Sequence, residues 1–364
     1  MVDKSIVFPK ILLLALLILV GGGCAVDSPA ASPDASLDAP PFALKSFYKG
    51  VAWVGSRFPV TDEAMEQVRA NGVEWIAQTP FGWMESQNSP HLQLITDGFL
   101  WGETDEGIRL TTKKAHEHGI KVMLKPHVWL RRPTTGGWIG EIDFSSETDW
   151  QSWEADYRTF ILHWAELAAQ ENIELFCIAT ELSNPVRSRP LFWKTLVADI
   201  RKVYSGKLTY AANWYRDYDE ISLWQELDFI GVNAYFPLSD KANPTLEEIE
   251  DGWKPIVDKI RTLAESFQKP VLFTEVGYKN VKGTFIRPWE WPRRDDNSDI
   301  SNEEQAMGYQ ALFLTFGKLP WFSGMFIWKW YPNSGRITPD RVEFSPQNKD
   351  AEQVLKRWYT HSDK

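Results

Sequence analysis

Two glutamates close apolar runs of this chain: Glu181 in Ala179-Thr180-Glu181-Leu182, and Glu275 in Phe273-Thr274-Glu275-Val276-Gly277-Tyr278. A carboxylate in such a place is costly unless it has partners or a task. Two carboxyl groups that meet in one pocket can cleave an acetal, one protonating the leaving oxygen while the other attacks the anomeric carbon. Groups about 5–5.5 Å apart would retain the anomeric configuration, and groups about 6.5–9.5 Å apart would invert it. Either glutamate alone could equally be a salt-bridged acid at a strand end. Their value as a pair depends on the elements that carry them.

Those elements alternate. Short segments rich in β-branched and aromatic residues run near 48–54, 73–79, 120–127, 174–181, 207–213, 227–235, 270–276 and 322–330. Stretches of helical period lie between and after them, near 61–71, 106–118, 149–170, 190–204, 217–224 (short), 245–267, 301–317 and 349–359. Repeated βα units imply parallel strands with crossover helices, and eight of them imply a closed barrel, the (β/α)8 or TIM barrel. An open doubly wound sheet competes, but no glycine-rich phosphate loop follows the first strand. In an eight-membered ring the fourth and seventh strands face each other, so Glu181 and Glu275 can converge at the carboxyl end.

The connections point to the same end. Helix-to-strand links are short, such as His118-Gly119-Ile120 and Gln268-Lys269-Pro270, whereas strand-to-helix links near 81–105, 128–148 and 278–300 are long. Long βα loops are expected on the face that does the work. They hold Trp83, Trp101, Trp129, Trp138, Trp289 and Trp291, with Trp214, Trp328 and Trp330 at strand ends. Flat rings suit the apolar faces of sugars. Tyr235, expected to end strand six, could hydrogen-bond Glu275 and keep it ionised, against the plainer reading of a packed ring. Lys125 and His127 on strand three and Asn213 on strand five are candidates for sugar hydroxyls.

Several segments together resemble a known family: 125–130 (KPHVWL), 176–182 (FCIATEL), 208–214 (LTYAANW), 228–238 (DFIGVNAYFPL) and 273–278 (FTEVGY). They resemble glycoside hydrolase family 113, within the large clan A of retaining barrels, over about residues 48–330. The resemblance implies a β-mannanase acting on β-1,4-linked mannose, as an endo-enzyme or a β-mannosidase, with Glu181 as acid/base and Glu275 as nucleophile. Trp328 resembles the clan's sugar-platform tryptophan. One departure is Thr180, where many clan members carry Asn to contact the sugar 2-hydroxyl; Asn213 or Asn233 could take over that contact.

Composition sets the surroundings. The chain of 364 residues has a formal charge of −10, which argues against a nucleic-acid partner, and its 19 tryptophans are a heavy load. Lys4 and Lys10 bracket the start of an apolar run, Ile11 to Val20, which ends in Gly21-Gly22-Gly23-Cys24. This is too short to span a bilayer and resembles a lipoprotein leader, so we expect residues 1–23 to be a signal peptide and Cys24 to carry the lipid. Residues 24–45, rich in Ala, Ser, Pro and Asp, read as a flexible tether, and 46–364 as one catalytic domain. The expected setting is the bacterial cell envelope.

Cys177, in an apolar run, reads as a small buried hydrophobe. The 6 histidines form no ligand pattern, so neither metal nor cofactor is expected. Arg293-Arg294-Asp295-Asp296 reads as a solvated loop, and no G-x-S-x-G elbow supports a serine hydrolase. A monomer binding a β-linked polysaccharide or oligosaccharide is the expected state. The rivals are a non-catalytic glycan-binding lipoprotein on the same barrel and a retaining β-glycosidase of other sugar preference.

Overall fold

The computed structural model describes residues 40–98, 100–134, 136–292 and 299–362. The expected leader, Cys24, the tether as far as residue 39 and the run Arg293–Asp296 lie outside the described residues.

Eight parallel strands close a barrel: β1 (Tyr48–Trp53), β2 (Trp75–Gln78), β3 (Lys121–Leu124), β4 (Leu175–Thr180), β5 (Lys207–Asn213), β6 (Ile230–Asn233), β7 (Val271–Val276) and β8 (Phe322–Trp330), with β8 pairing β1. The sequence sets where the surrounding helices begin. Thr61, Thr104, Ser146, Thr245 and Ser301 each accept the backbone N–H three residues on, capping α1 (Asp62–Ala70), α2 (Asp105–Glu117), α3 (Glu147–Gln170), and the helices Leu246–Phe267 and Asn302–Phe316. Thr245 and Glu248 complete a reciprocal capping box. Among the described residues no helix is long and apolar enough to cross a membrane.

Alternation along the strands divides the core into two layers. Trp75, Ala77, Met123, Leu175, Cys177, Ala211, Phe229, Leu272 and Phe326 point inward and fill the barrel floor. The intervening residues face the helices; Phe273, for example, packs on Trp253 and Phe316. Cys177 is buried in the floor, as its apolar setting suggested.

Three expectations need correction. Strand three does not run through to 127: β3 stops at Leu124, and Pro126, which has no N–H to give a ladder, separates it from a second strand at His127–Leu130. That strand pairs with Phe81–Met84, which pairs in turn with Leu92–Leu94, so two of the supposed loops share a small three-stranded sheet. The fifth helix, expected near 217–224, is a turn followed by a short 3₁₀ segment, Leu223–Glu226. A helix not foreseen, α4 (Ser183–Ser188), follows Glu181 directly.

Candidate active site

Both glutamates stand just past a break in strand pairing. On β7, Phe273 pairs with Val232 but Glu275 with Asn233, so one residue is extra. Strict alternation from the inward Leu272 would send Glu275 out toward the helices. The bulge re-aims it into the pocket, a common use of such irregularities beside active sites. On β4 the register against β5 shifts between Cys177 and Thr180. Glu181 then adopts a left-handed φ of 52°, while its N–H still bonds Ala211 O at 2.8 Å. That conformation costs a residue with a Cβ about 1–2 kcal/mol, offset by the packing around it.

Glu275 is buried and held by two donors. The Tyr235 hydroxyl donates to Oε2 at 2.9 Å, and the Lys125 ammonium donates to Oε1. The Lys125 side chain is 0% exposed, so both charges have left water and neither is tolerable without the other. The same ammonium lies 5.8 Å from the centre of the Trp328 ring. His127 Nε2 sits 3.6 Å from Glu275 Oε1, too far for a hydrogen bond, and has no other partner among the described residues. Burial first, and then the charge of Lys125, hold the His127 pKa well below its usual value, so the ring is neutral.

Glu181 lies in a different environment. Asn233 Nδ2 donates to its Oε1 at 3.0 Å, and Asn233 is oriented in turn by Thr274 Oγ1, which donates to Oδ1 at 2.9 Å. Burial, and next the negative charge of Glu275, push the Glu181 pKa up to about 7; the Asn233 bond and Lys125 pull against them. Near neutral pH Glu181 therefore holds its proton for a substantial part of the time.

The structure gathers Lys125, His127, Glu181, Asn233, Tyr235, Glu275 and Trp328 around one centre. Asn213 and Trp214 have other duties. Asn213 Oδ1 accepts the N–H of Tyr215 in a local turn, while its own N–H bonds Asp217 Oδ1. Trp214 packs on Phe236 and on half-exposed Trp289, 5.0 Å away, at the rim. Thr180 turns its hydroxyl to Pro126 O and Asn233 is engaged by Glu181, so neither stands free as the missing asparagine would. Of the other tryptophans, Trp330 is core and Trp291 is exposed against Trp328.

Sequence reasoning missed Asp217 and Thr274. Asp217 is buried in the turn just past strand five, accepts the Tyr210 hydroxyl, and is pushed by burial to about 6. A lone aspartate in a turn-like stretch carries no signal of that position. Among the described residues no cluster of His, Cys, Asp and Glu could hold a metal ion.

The model of glycoside hydrolase family 113 matches residues 54–344. No curated protein matches the chain. Among solved structures the chain is similar to the family 113 β-mannanase AaManA from Alicyclobacillus acidocaldarius in complex with ManMIm, with a TM-score of 0.72 and 27% identity over 86% of this chain and 97% of that one. A family 113 β-1,4-mannanase gives a TM-score of 0.73 and 24% identity over 86% of this chain and 98% of that one. The β-glucuronidase of Ruminococcus gnavus gives 0.58 and 14% over 86% of this chain and 50% of that one. These last two are likenesses of fold alone. On the family match, this chain belongs to glycoside hydrolase family 113 and is a glycoside hydrolase.

Proposed function

We propose that the chain is a retaining β-mannanase in which Glu275 is the nucleophile and Glu181 the acid/base. The observation that carries this reading is the unequal environment of the two carboxyl groups. Glu275 receives hydrogen bonds from the buried Lys125 ammonium and the Tyr235 hydroxyl, while Glu181 is bonded by a neutral amide and raised to about 7.

In the first step Glu181 gives its proton to the glycosidic oxygen as Glu275 attacks the anomeric carbon, forming a glycosyl ester and releasing the leaving sugar. The ester carries no charge, so the largest electrostatic influence raising the Glu181 pKa disappears. Glu181, now an anion, takes a proton from water, whose oxygen displaces Glu275. The neutral His127 ring, with a buried Nε2 that lacks a partner, is suited to a sugar hydroxyl, and Trp328 to a sugar face. Mannan is the substrate chosen because the relative with 27% identity is a β-mannanase.

A panel of β-linked polysaccharides, with the product anomer followed by NMR, tests sugar and stereochemistry together. Mannan cleaved with retention supports the proposal. Inversion removes the nucleophile role, and preference for another glycan removes the mannanase. For the amino-terminal segment we propose removal of residues 1–23 and lipid attachment at Cys24, supported by the apolar run ending in Gly21-Gly22-Gly23-Cys24. Metabolic labelling with a fatty acid, abolished in Cys24→Ala, is the expected result.

A further inference from the structure

The small sheet that replaces two of the expected loops has two unlike faces. Two of its strands pair in parallel, with Phe81 opposite His127 and Trp83 opposite Trp129, and the third is antiparallel, with Gln93 opposite Trp83 on the other side. Side chains alternate across a strand, so these five residues share one face. The other face, Met84, Leu92, Val128 and Leu130, is buried in the main core. It is pressed close: a Cβ at Gly82 would lie 2.9 Å from the Phe160 ring of α3. The open face is therefore a fixed surface rather than a floppy loop, and it is aromatic. Trp129 is 51% exposed.

The rings run outward from the reactive centre. His127, 3.6 Å from Glu275, meets Phe81 at 5.3 Å between ring centres; Phe81 meets Trp129 at 6.0 Å, and Trp129 meets Trp83 at 6.4 Å. At the outer end the Arg131 guanidinium lies 5.6 Å from the Trp83 ring centre and donates to Gln93 Oε1 at 3.4 Å. Successive rings are inclined by 62°, 84° and 60°, so they form a stepped apolar row. Edged by an amide and a guanidinium, that row matches a sugar chain, whose rings offer apolar faces and peripheral hydroxyls. We infer that this face, with Trp129 and Trp83 as its principal contacts and Arg131 and Gln93 at its edge, is a distal glycan-binding platform that holds the substrate chain beyond the sugars at the cleaved bond.

The occupant follows from continuity. The strand that carries Trp129 begins at His127, so a chain seated in the pocket is led directly onto this face. The inference rests on the hydrolase reading proposed above and adds to it a preference for long chains.

The test is kcat/KM for β-1,4-linked manno-oligosaccharides of increasing length, in the wild type, Trp129→Ala and Trp129→Phe. The wild type should gain with length. In Trp129→Ala the deficit should grow along the series to about tenfold at the longest chain, with Trp129→Phe intermediate. A deficit equal at every length, or absent at the longest, overturns the platform. If the wild type releases no reducing ends from any β-linked polysaccharide, the hydrolase reading fails instead. The platform is then judged by calorimetric affinity for the same oligosaccharides: a length-dependent loss in Trp129→Ala supports it, and equal affinities overturn it.

Discussion

The floor and the rim of this barrel are built by the same strands from opposite kinds of residue. On β7, Leu272 lies in the floor and Glu275 at the rim, three positions apart; Cys177 on β4 and Glu181 just past its end stand in the same relation, four positions apart. The floor is an apolar layer of Trp, Phe, Leu, Met, Ala and Cys whose contribution is burial. The rim is a set of charges and amides, each of which would be costly on its own. Lys125 needs Glu275, Asn233 is aimed by Thr274, and Glu181 takes an unfavourable backbone conformation. Stability is held in one layer and chemistry in the other, and a bulge marks the boundary on each glutamate-bearing strand.

The comparison breaks most visibly if the two ends of β7 respond alike. Glu275→Gln keeps the side-chain shape but cannot attack, and kcat should fall by on the order of 10⁴-fold or more. Leu272→Ala should leave the pH–rate profile in place and cost about 2–5 kcal/mol of stability, read by denaturant unfolding. A large loss of turnover per folded molecule in Leu272→Ala would mean that the layers are not separate.

A smaller effect is expected at Tyr235, which gives Glu275 a hydrogen bond but does not react. Tyr235→Phe should lower kcat by about 10²-fold with the fold intact by circular dichroism. An unchanged kcat would reduce the tyrosine to packing.

The smallest effect is the most specific. Asn233 favours the anion of Glu181, so removing it should raise the Glu181 pKa further. An acid catalyst works while protonated, and the alkaline limb of the bell-shaped kcat/KM profile should therefore move to higher pH. For Asn233→Ala the expected movement is roughly half a unit to one unit. A downward movement would contradict the assigned polarity of that bond.

Much of this was legible in the sequence because the barrel repeats. Each βα unit carries its own alternation, caps and short return loop, and all eight strands lie close to where those patterns put them. Glu181, Glu275 and the Tyr235 contact could be read because polar residues after apolar runs are conspicuous. What escaped were features set by one residue or by distant pairing. Pro126 was in plain view, yet the apolar run around it read as a single strand. The small sheet joins 81–94 to 127–130, segments with no local sign of each other. The β7 bulge is invisible to periodicity, which by itself would have turned Glu275 away from Leu272 and out of the pocket. Tryptophan placement was half legible: the long loops do hold exposed rings, but composition could not separate buried Trp330 from exposed Trp291.

The most direct test of the two-carboxyl rim is a ¹³C NMR titration of glutamate side-chain carboxyls in the wild type and in Glu275→Gln. Glu181 should titrate near 7 in the wild type, because of burial and its charged neighbour, and at lower pH once that charge is removed. A Glu181 that titrates like a solvent-exposed glutamate, at the same pH in both proteins, would show that the two groups do not share a site.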